Sequence, residues 1–254
     1  MLSHKKDIFP ALLVLVTTCA QVALYICAVN LPILVVVLLS CIIFFLCAVC
    51  VIIAHNHAHC AMFKYKFANI AVEYMYFFQH ALTPYFGKIQ HVLMHHNFYM
   101  DQSKEPQPWL KDNKPVNKFD YVFFGTLGLY SDVFRYSKSF KRLETPFSRH
   151  FAGCMVLLML LVAVNPLGAV FAFILPASLA LFNLTAHSWA HHNGLSLTDP
   201  WAATRSDVNV RSNWFLFNIG YHTAHHYKPA VHWSELPELH ARIAHKIPEH
   251  LIYK

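Results

Sequence analysis

One apolar segment decides the architecture of this chain. Residues 31–59 read LPILVVVLLSCIIFFLCAVCVIIAHNHAH and contain no Asp, Glu, Lys or Arg. A helix needs about 20 apolar residues to cross the hydrocarbon core of a bilayer, so residues 31–54 predict a transmembrane helix. The histidines that follow this helix then lie where it leaves the membrane.

The uncharged region extends on the N-terminal side as far as residue 8. Residues 8–29 are long enough for another crossing, and Asn30, Leu31 and Pro32 supply the turn between the two helices. A signal peptide is the competing interpretation, because Lys5 and Lys6 precede the apolar stretch. The stretch is longer than a typical signal core and has no small-x-small cleavage site, so we expect it to be retained.

Residues 150–198 form a second region without charged side chains. Asn165 and Pro166 divide predicted helices over residues 147–164 and 166–186. Pro176 lies inside the last helix, where we expect a kink whose freed carbonyl is satisfied by neighbours. The predicted fold class is all-α integral membrane: four transmembrane helices as two hairpins, with a cytoplasmic helical cap that carries the histidines, in a single domain over residues 1–254.

Composition and charge agree with this class. Of the 254 residues 56% are hydrophobic and 13% are charged, and the mean hydropathy is +0.38, which excludes an ordinary soluble domain. All 20 Lys and Arg lie outside residues 8–63 and 150–198, so the segments that carry them emerge on one side of the membrane. The positive-inside rule makes that side the cytoplasm. The net charge of +7 therefore reflects topology, and we expect no nucleic-acid partner.

The 19 histidines are the feature that membrane insertion does not explain. Most of them fall in four clusters whose spacing places two or three imidazoles on one helical face. The clusters are His55, His57 and His59; His91, His95 and His96; His187, His191 and His192, with Asn183 one turn earlier; and His222, His225 and His226.

The clusters predict a metal centre. A lone histidine at a helix end is commonly a hydrogen-bonded structural residue, but four clusters at one membrane face favour metal binding. The 12 imidazoles exceed the needs of one tetrahedral zinc, so the sequence predicts two metal ions. Neutral imidazole suits zinc, copper, iron and nickel, and the spacing does not choose among them.

These residues resemble the histidine boxes of the membrane fatty acid desaturase superfamily, which includes desaturases, hydroxylases and ketolases. The matching boxes are His55-x3-His59, His91-x3-His95-His96, Asn183-x3-His187 and His222-x2-His225-His226. The likeness covers about residues 8–240, because the tail with Pro229, Trp233, Leu236-Pro237 and His240 resembles the segment that closes the last box of the family.

The resemblance implies a non-haem di-iron site that uses O2 and two electrons to desaturate a fatty acyl chain. It assigns two iron ions (Fe²⁺/Fe³⁺) to nine imidazole ligands and leaves no catalytic residue beyond them. Those ligands would be His55, His59, His91, His95, His96, His187, His222, His225 and His226, with Asn183 approaching one iron through water.

Two features depart from the acyl-CoA type of this family. The first box has three spacers instead of four, and His191-His192 forms an extra pair that competes with His187 as ligand. We expect His187 to be the ligand, because its spacing from Asn183 matches the family and it lies nearest the membrane. The short first box is more usual among bacterial acyl-lipid and acyl-carrier enzymes and carotenoid ketolases, which argues against an acyl-CoA substrate. We expect a bacterial inner membrane and not the endoplasmic reticulum.

The electron source is expected to be external. The seven glycines form no G-x-G-x-x-G and no Walker loop, so the chain has no familiar flavin or nicotinamide site, and a ferredoxin or cytochrome would supply electrons. Trp109, Tyr130, Trp189 and Trp214 could line an acyl tunnel, although a membrane-belt role suits most of them.

Two alternative functions stay open at this point. Within the superfamily, a hydroxylase, ketolase or oxidative decarboxylase acting on a lipid would use the same residues. From another class, a metal transporter or a haem-binding membrane protein would also use histidine-rich helices. Transporters place their ligands near the bilayer midplane, whereas the middle of each predicted span here has no histidine.

Overall fold

Apolar helices dominate the structure, a computed structural model that describes residues 1–111 and 114–254. Four helical segments are long and apolar enough to cross a membrane, which confirms the predicted fold class. They are Lys5–Asn30, Ile33–His59, Lys141–Val164 and Pro166–His192. The second and fourth segments continue past the predicted ends at residues 54 and 186, so the histidines that follow the apolar runs belong to the helices themselves.

The first hairpin consists of helices α1 (Ile8–Cys27) and α2 (Ile33–His59). Short 3-10 turns, Lys5–Asp7 and Ala28–Asn30, flank α1, and Pro32 precedes α2 at the expected turn. Leu24, Val36 and Ile43 are buried inside the bundle, while Leu34 and Phe45 are exposed on the lipid-facing side. This division is typical of membrane helices that pack on one face and meet lipid on the other.

The segment between the hairpins contributes helices α3 (Lys66–His80), α4 (His96–Phe98) and α5 (Lys118–Ser137). A π-helix, Lys88–His95, leads directly into α4, and strands β1 (Leu110–Lys111) and β2 (Lys114–Pro115) pair antiparallel. Helix α3 packs against α1 and α2. Tyr130 of α5 fixes the turn after α3, because its hydroxyl donates to the carbonyl of Ala81 at 2.7 Å.

The second hairpin pairs α6 (Lys141–Val164) with a helix in three parts. These parts are α7 (Pro166–Ala169), a π-helical turn (Val170–Ile174) and α8 (Leu175–His192). Asn165 caps α7 by accepting from the backbone N–H of Gly168 at 2.9 Å, as expected for the turn at Asn165-Pro166. Helix α8 packs against α2, α3 and α5 and so lies at the centre of the bundle.

Pro176 is accommodated by side chains of the first hairpin. It has no backbone N–H for the carbonyls of Ala172 and Phe171, which lie four and five residues earlier. Gln21 of α1 donates to the Ala172 carbonyl at 2.9 Å, and Ser40 of α2 donates to the Phe171 carbonyl at 2.7 Å. The π-helical turn and these two side-chain donors therefore compensate for the backbone hydrogen bonds that Pro176 cannot make, as a helix interrupted in lipid requires.

The C-terminal segment folds at the same end of the bundle as the end of α2. It contains β3 (Ser206–Asp207), α9 (Val210–Phe215), α10 (His222–Tyr227), α11 (Leu236–Ile243) and β4 (Ile252–Tyr253), and three 3-10 turns: Trp233–Glu235, Ala244–Lys246 and Glu249–Leu251. Strands β3 and β4 pair in parallel. Asp7 at the start of α1 accepts from His232 and Trp233, both at 3.0 Å, and so ties this segment to the first helix.

Candidate metal centre

The described histidines come together in two groups. In the first, here called the four-histidine cluster, ligand nitrogens of all members lie within 4.8 Å of one another. The second, the three-histidine cluster, meets the same criterion and is fully buried. The four-histidine cluster contains His55, His59, His91 and His225, and the three-histidine cluster contains His95, His192 and His226.

Helix α2 and the π-helix contribute three members of the four-histidine cluster, and α10 contributes His225. His55 and His59 lie one turn apart on α2, and their rings face the ring of His91 with centroid separations of 4.2 and 5.0 Å. The π-helical register then brings His96, five residues after His91, back to the same place, with the two Nε2 atoms 3.0 Å apart. His96 therefore lies beside the four-histidine cluster, next to His91.

The same π-helix contributes to the other group. His95 lies between His91 and His96 in the sequence, but its ring belongs to the other group. It faces His192 and His226, with ring centroids 4.9 and 5.1 Å away. His222 on α10 joins this group, because its Nε2 lies 3.1 Å from Nε2 of His192. The π-helix and α10 thus each contribute histidines to both groups.

The nitrogen separations fit bound metal ions. Two imidazole nitrogens at about 2.1 Å from one ion and at right angles would be about 3.0 Å apart. The Nε2 pairs His55–His225, His91–His96 and His192–His222 lie at 3.0, 3.0 and 3.1 Å. Each pair can therefore converge on one ion.

Buried nitrogens without partners support the same conclusion. His59 Nε2 and both ring nitrogens of His226 are buried and make no hydrogen bond with a described residue. A buried polar atom without a partner is costly, and a metal ion would satisfy these atoms. The residues present therefore fit a two-metal site.

Burial keeps the imidazoles of the cap neutral, which metal binding requires. It holds the pKa of His91, His96, His222, His225 and His226 well below the ordinary histidine value, and neighbouring imidazoles lower these pKa values further. A neutral imidazole offers a free nitrogen lone pair to a metal ion.

In the third predicted box, a different histidine from the expected one lies in a cluster. The structure does not bring His187 into either cluster: its side chain is exposed, and Nδ1 donates to the carbonyl of Asn183 at 2.8 Å. Asn183 and His187 instead line the cavity described below. The cluster position expected for His187 is occupied by His192, which lies more than one helical turn further along α8.

The pair His191-His192 itself has two separate roles. The Nδ1 atom of His192 donates to the carbonyl of Ala203 at 3.3 Å, which leaves Nε2 free at the three-histidine cluster. His191 Nδ1 donates to the carbonyl of Arg205 at 3.2 Å, and its ring stacks on His222 with centroids 4.2 Å apart. His191 therefore supports a neighbouring imidazole and lies outside both clusters.

The remaining histidine of the first box lies apart from the metal site, as its helical direction predicts. His57 accepts from the backbone N–H of Met62 at 3.2 Å and approaches Glu73 at 3.6 Å. It is buried and belongs to the packing between α2 and α3.

Beside the three-histidine cluster, sequence reasoning missed Glu105 and gave Trp109 a different role. Glu105 is buried and lies 3.1 Å from His95 Nδ1, and Trp109 stacks on His192 with centroids 4.8 Å apart. Glu105 follows the second box by nine residues in a turn, and a rule that metal-bound histidines need a carboxylate or carbonyl partner could have singled it out. Of the four predicted aromatic tunnel residues, Trp109 instead packs on a cluster histidine, and none of the four lines the cavity.

A cavity of about 680 Å³ adjoins the clusters. Its lining includes Phe45, which is 67% exposed on α2, and Val49, Ile52 and His55 of the same helix. His192 and His222 line the same cavity. An apolar chain bound in this cavity would therefore lie beside the clustered imidazoles.

Comparison with known proteins identifies the family. Residues 30–254 match the family described as fatty acid desaturase. This range includes the second, third and fourth transmembrane helices and every histidine group that the sequence analysis identified. The chain matches no curated protein and no solved structure. The converging clusters, the four apolar helices and the match over most of the chain lead to one conclusion: the protein belongs to the fatty acid desaturase family.

Proposed function

We propose that this protein is a membrane di-iron oxidoreductase that uses O2 and two electrons to desaturate a fatty acyl chain. The observation that carries the proposal is that members of both histidine clusters line one cavity together with apolar side chains of α2, among them the exposed Phe45. Family membership supports a lipid substrate and iron as the metal.

We assign the proposed ligands to two sets from their proximity. His55, His59, His91, His96 and His225 would hold one ion, and His95, His192, His222 and His226 would hold the other. This assignment replaces His187 with His192 and keeps the other eight residues that the resemblance implies. Two iron ions held there would supply the O2-dependent oxidation of an unactivated C–H bond.

The protein part of the mechanism is binding, orientation and exclusion of water. The walls near Val49, Ile52 and Leu184 are apolar, so they suit the methylene groups of an acyl chain. From Phe45 to His55 the cavity follows α2 for about 15 Å at about 1.5 Å per residue. A cavity of about 680 Å³ falls within the range typical of ligand sites.

An external ferredoxin or cytochrome would supply the electrons, because the sequence contains no Gly-rich nucleotide-binding motif. The histidine end of the bundle would face the cytoplasm, where the basic residues lie, and would meet the donor there. We place the protein in a bacterial inner membrane, with a lipid or acyl-carrier substrate.

Lipid analysis of expressing cells tests this proposal. The cells are grown under ¹⁸O2, and their lipids are analysed by gas chromatography with mass spectrometry. The analysis should reveal acyl chains lighter by two hydrogens and without ¹⁸O. The His226→Ala variant, produced at the same level, should give the lipid profile of cells without the protein. Products that contain ¹⁸O would favour hydroxylation or ketolation, and products shorter by one carbon would favour decarboxylation. An unchanged profile with a suitable donor present would contradict the proposal.

A further inference from the structure

Glu105 has an unusual position for a carboxylate in this protein. Its two carboxylate oxygens lie 3.1 and 3.2 Å from Nδ1 of His95, and its side chain is almost completely buried. Among the described residues, only Asp7 is another buried acid, and Asp7 is bound by His232 and Trp233 at the start of α1. Burial of an ionisable carboxylate is costly unless a partner compensates it.

A compact turn carries Glu105 to this place. The backbone N–H of Tyr99 donates to the carbonyl of His95 at 2.7 Å, and the N–H groups of Lys104 and Glu105 both donate to the carbonyl of Asp101 at 2.9 Å. The chain therefore folds back on the π-helix immediately after the second box. Gln102 then accepts from the N–H of Trp109 at 2.8 Å, which holds the indole that stacks on His192.

The contact determines which nitrogen of His95 faces the cluster. Because Nδ1 carries the proton donated to Glu105, Nε2 is left unprotonated for a metal ion. A carboxylate on the far nitrogen also fixes the ring orientation and makes the imidazole a stronger ligand. The other described acids make no ion pair or hydrogen bond with a cluster histidine, so Glu105 provides this support alone.

The two clusters consequently differ. In the three-histidine cluster His95 is supported by Glu105, and His192 is supported by the Ala203 carbonyl. In the four-histidine cluster no described carboxylate lies within hydrogen-bond distance of His55, His59, His91 or His225. A negative charge beside one metal position favours a cation there more than at the other position.

We infer that Glu105 is a positioning residue that orients His95 and strengthens metal binding at the three-histidine cluster alone. The inference rests on the proposed two-metal function. It predicts that removing the charge of Glu105 weakens one metal site and leaves the other unchanged, without loss of the fold.

Cobalt titration tests the inference independently of turnover. Metal-stripped wild type in mild detergent is titrated with Co²⁺ and followed by visible absorption, beside Glu105→Gln, Glu105→Asp and the control Asp101→Asn. Asp101 lies in the same turn, but its carboxylate is exposed and pairs with Lys104. Circular dichroism and size-exclusion elution verify that each variant is folded.

Wild type and Asp101→Asn should bind two Co²⁺ per chain. Glu105→Gln, which keeps the shape of the side chain, should lose about 10–100-fold in affinity at one site only, and Glu105→Asp should recover part of that loss. Equal affinities for Glu105→Gln and wild type, or equal weakening of both sites, would overturn the inference while the two-metal function stands. A folded wild-type chain that binds fewer than two Co²⁺ would overturn both.

Discussion

The Nε2 atoms of His192 and His222 lie 3.1 Å apart at the three-histidine cluster. The first residue ends the last transmembrane helix and the second begins α10, so this contact joins the membrane bundle to the C-terminal segment. The two nitrogens have no other described hydrogen-bond partner, which is the arrangement expected of two ligands of one ion.

Replacement of His192 tests this assignment against the sequence expectation. His192→Ala should lose at least one metal ion and most of its activity, because it opens a coordination position in a buried site. His187→Ala should keep its full metal content, because the His187 side chain lies outside both clusters. Elemental analysis of both purified variants decides the question: metal loss from His187→Ala alone would restore the original assignment.

Much of the fold is predictable from the sequence, because helix length and hydrophobicity are local properties. The uncharged runs predict the four spans, and Asn30-Leu31-Pro32 and Asn165-Pro166 predict both turns. The presence of His192, and not His187, in the three-histidine cluster was not predictable from sequence spacing. It depends on the packing of α8 against α2, and on the C-terminal segment that places His222 opposite His192.

Other parts of the site depend on backbone details that spacing does not contain. A histidine five residues after His91 would leave the common face of an α-helix, but the π-helix brings His96 back to it. Glu105 reaches His95 through a turn in a loop, and no helical periodicity predicts that contact.

Gln21 should be important for stability within the membrane. Gln21→Leu removes the donor to the Ala172 carbonyl and to the Phe78 carbonyl, so it should cost about 1–3 kcal/mol of unfolding free energy. The control Val22→Leu, on the lipid-facing side of the same helix, should have little effect. Unfolding in detergent mixtures measures both variants, and equal stabilities of Gln21→Leu and wild type would contradict this role.

A double-mutant cycle connects Gln21 with Pro176. Pro176→Ala restores a backbone N–H in the last helix, so Gln21→Leu should cost less in that background than in wild type. Equal costs in the two backgrounds would show that Gln21 acts independently of the proline.

His80 predicts a pH dependence of stability. Burial lowers the pKa of His80 to about 3, and neither ring nitrogen has a described partner. Between the unfolded value near 6.5 and this folded value, the unfolded chain binds more protons, so stability should fall as the pH falls below about 6.5. His80→Leu should reduce the slope by up to about 1.4 kcal/mol per pH unit. The free energy of unfolding of wild type and variant is measured between pH 5 and 7. Equal slopes against pH would contradict the prediction.

Membrane topology is testable with reporters. A reporter fused after Lys254 and one inserted beside Lys114 should both report the cytoplasm, whereas one inserted at Leu31 should not. A tail on the opposite side would separate His222, His225 and His226 from the other boxes by about 30 Å, which no shared metal site permits. Such a result would contradict the convergence of the clusters.

Metal content tests the central claim most directly, because both clusters must hold iron for the proposed chemistry. Wild type purified in mild detergent should contain about two iron ions per chain by elemental analysis, with lipid oxidation measured on the same sample. His192→Ala, which retains the four-histidine cluster, should contain about one. Consistent recovery of a single metal ion from fully active wild type, or of zinc with activity intact, would contradict the account.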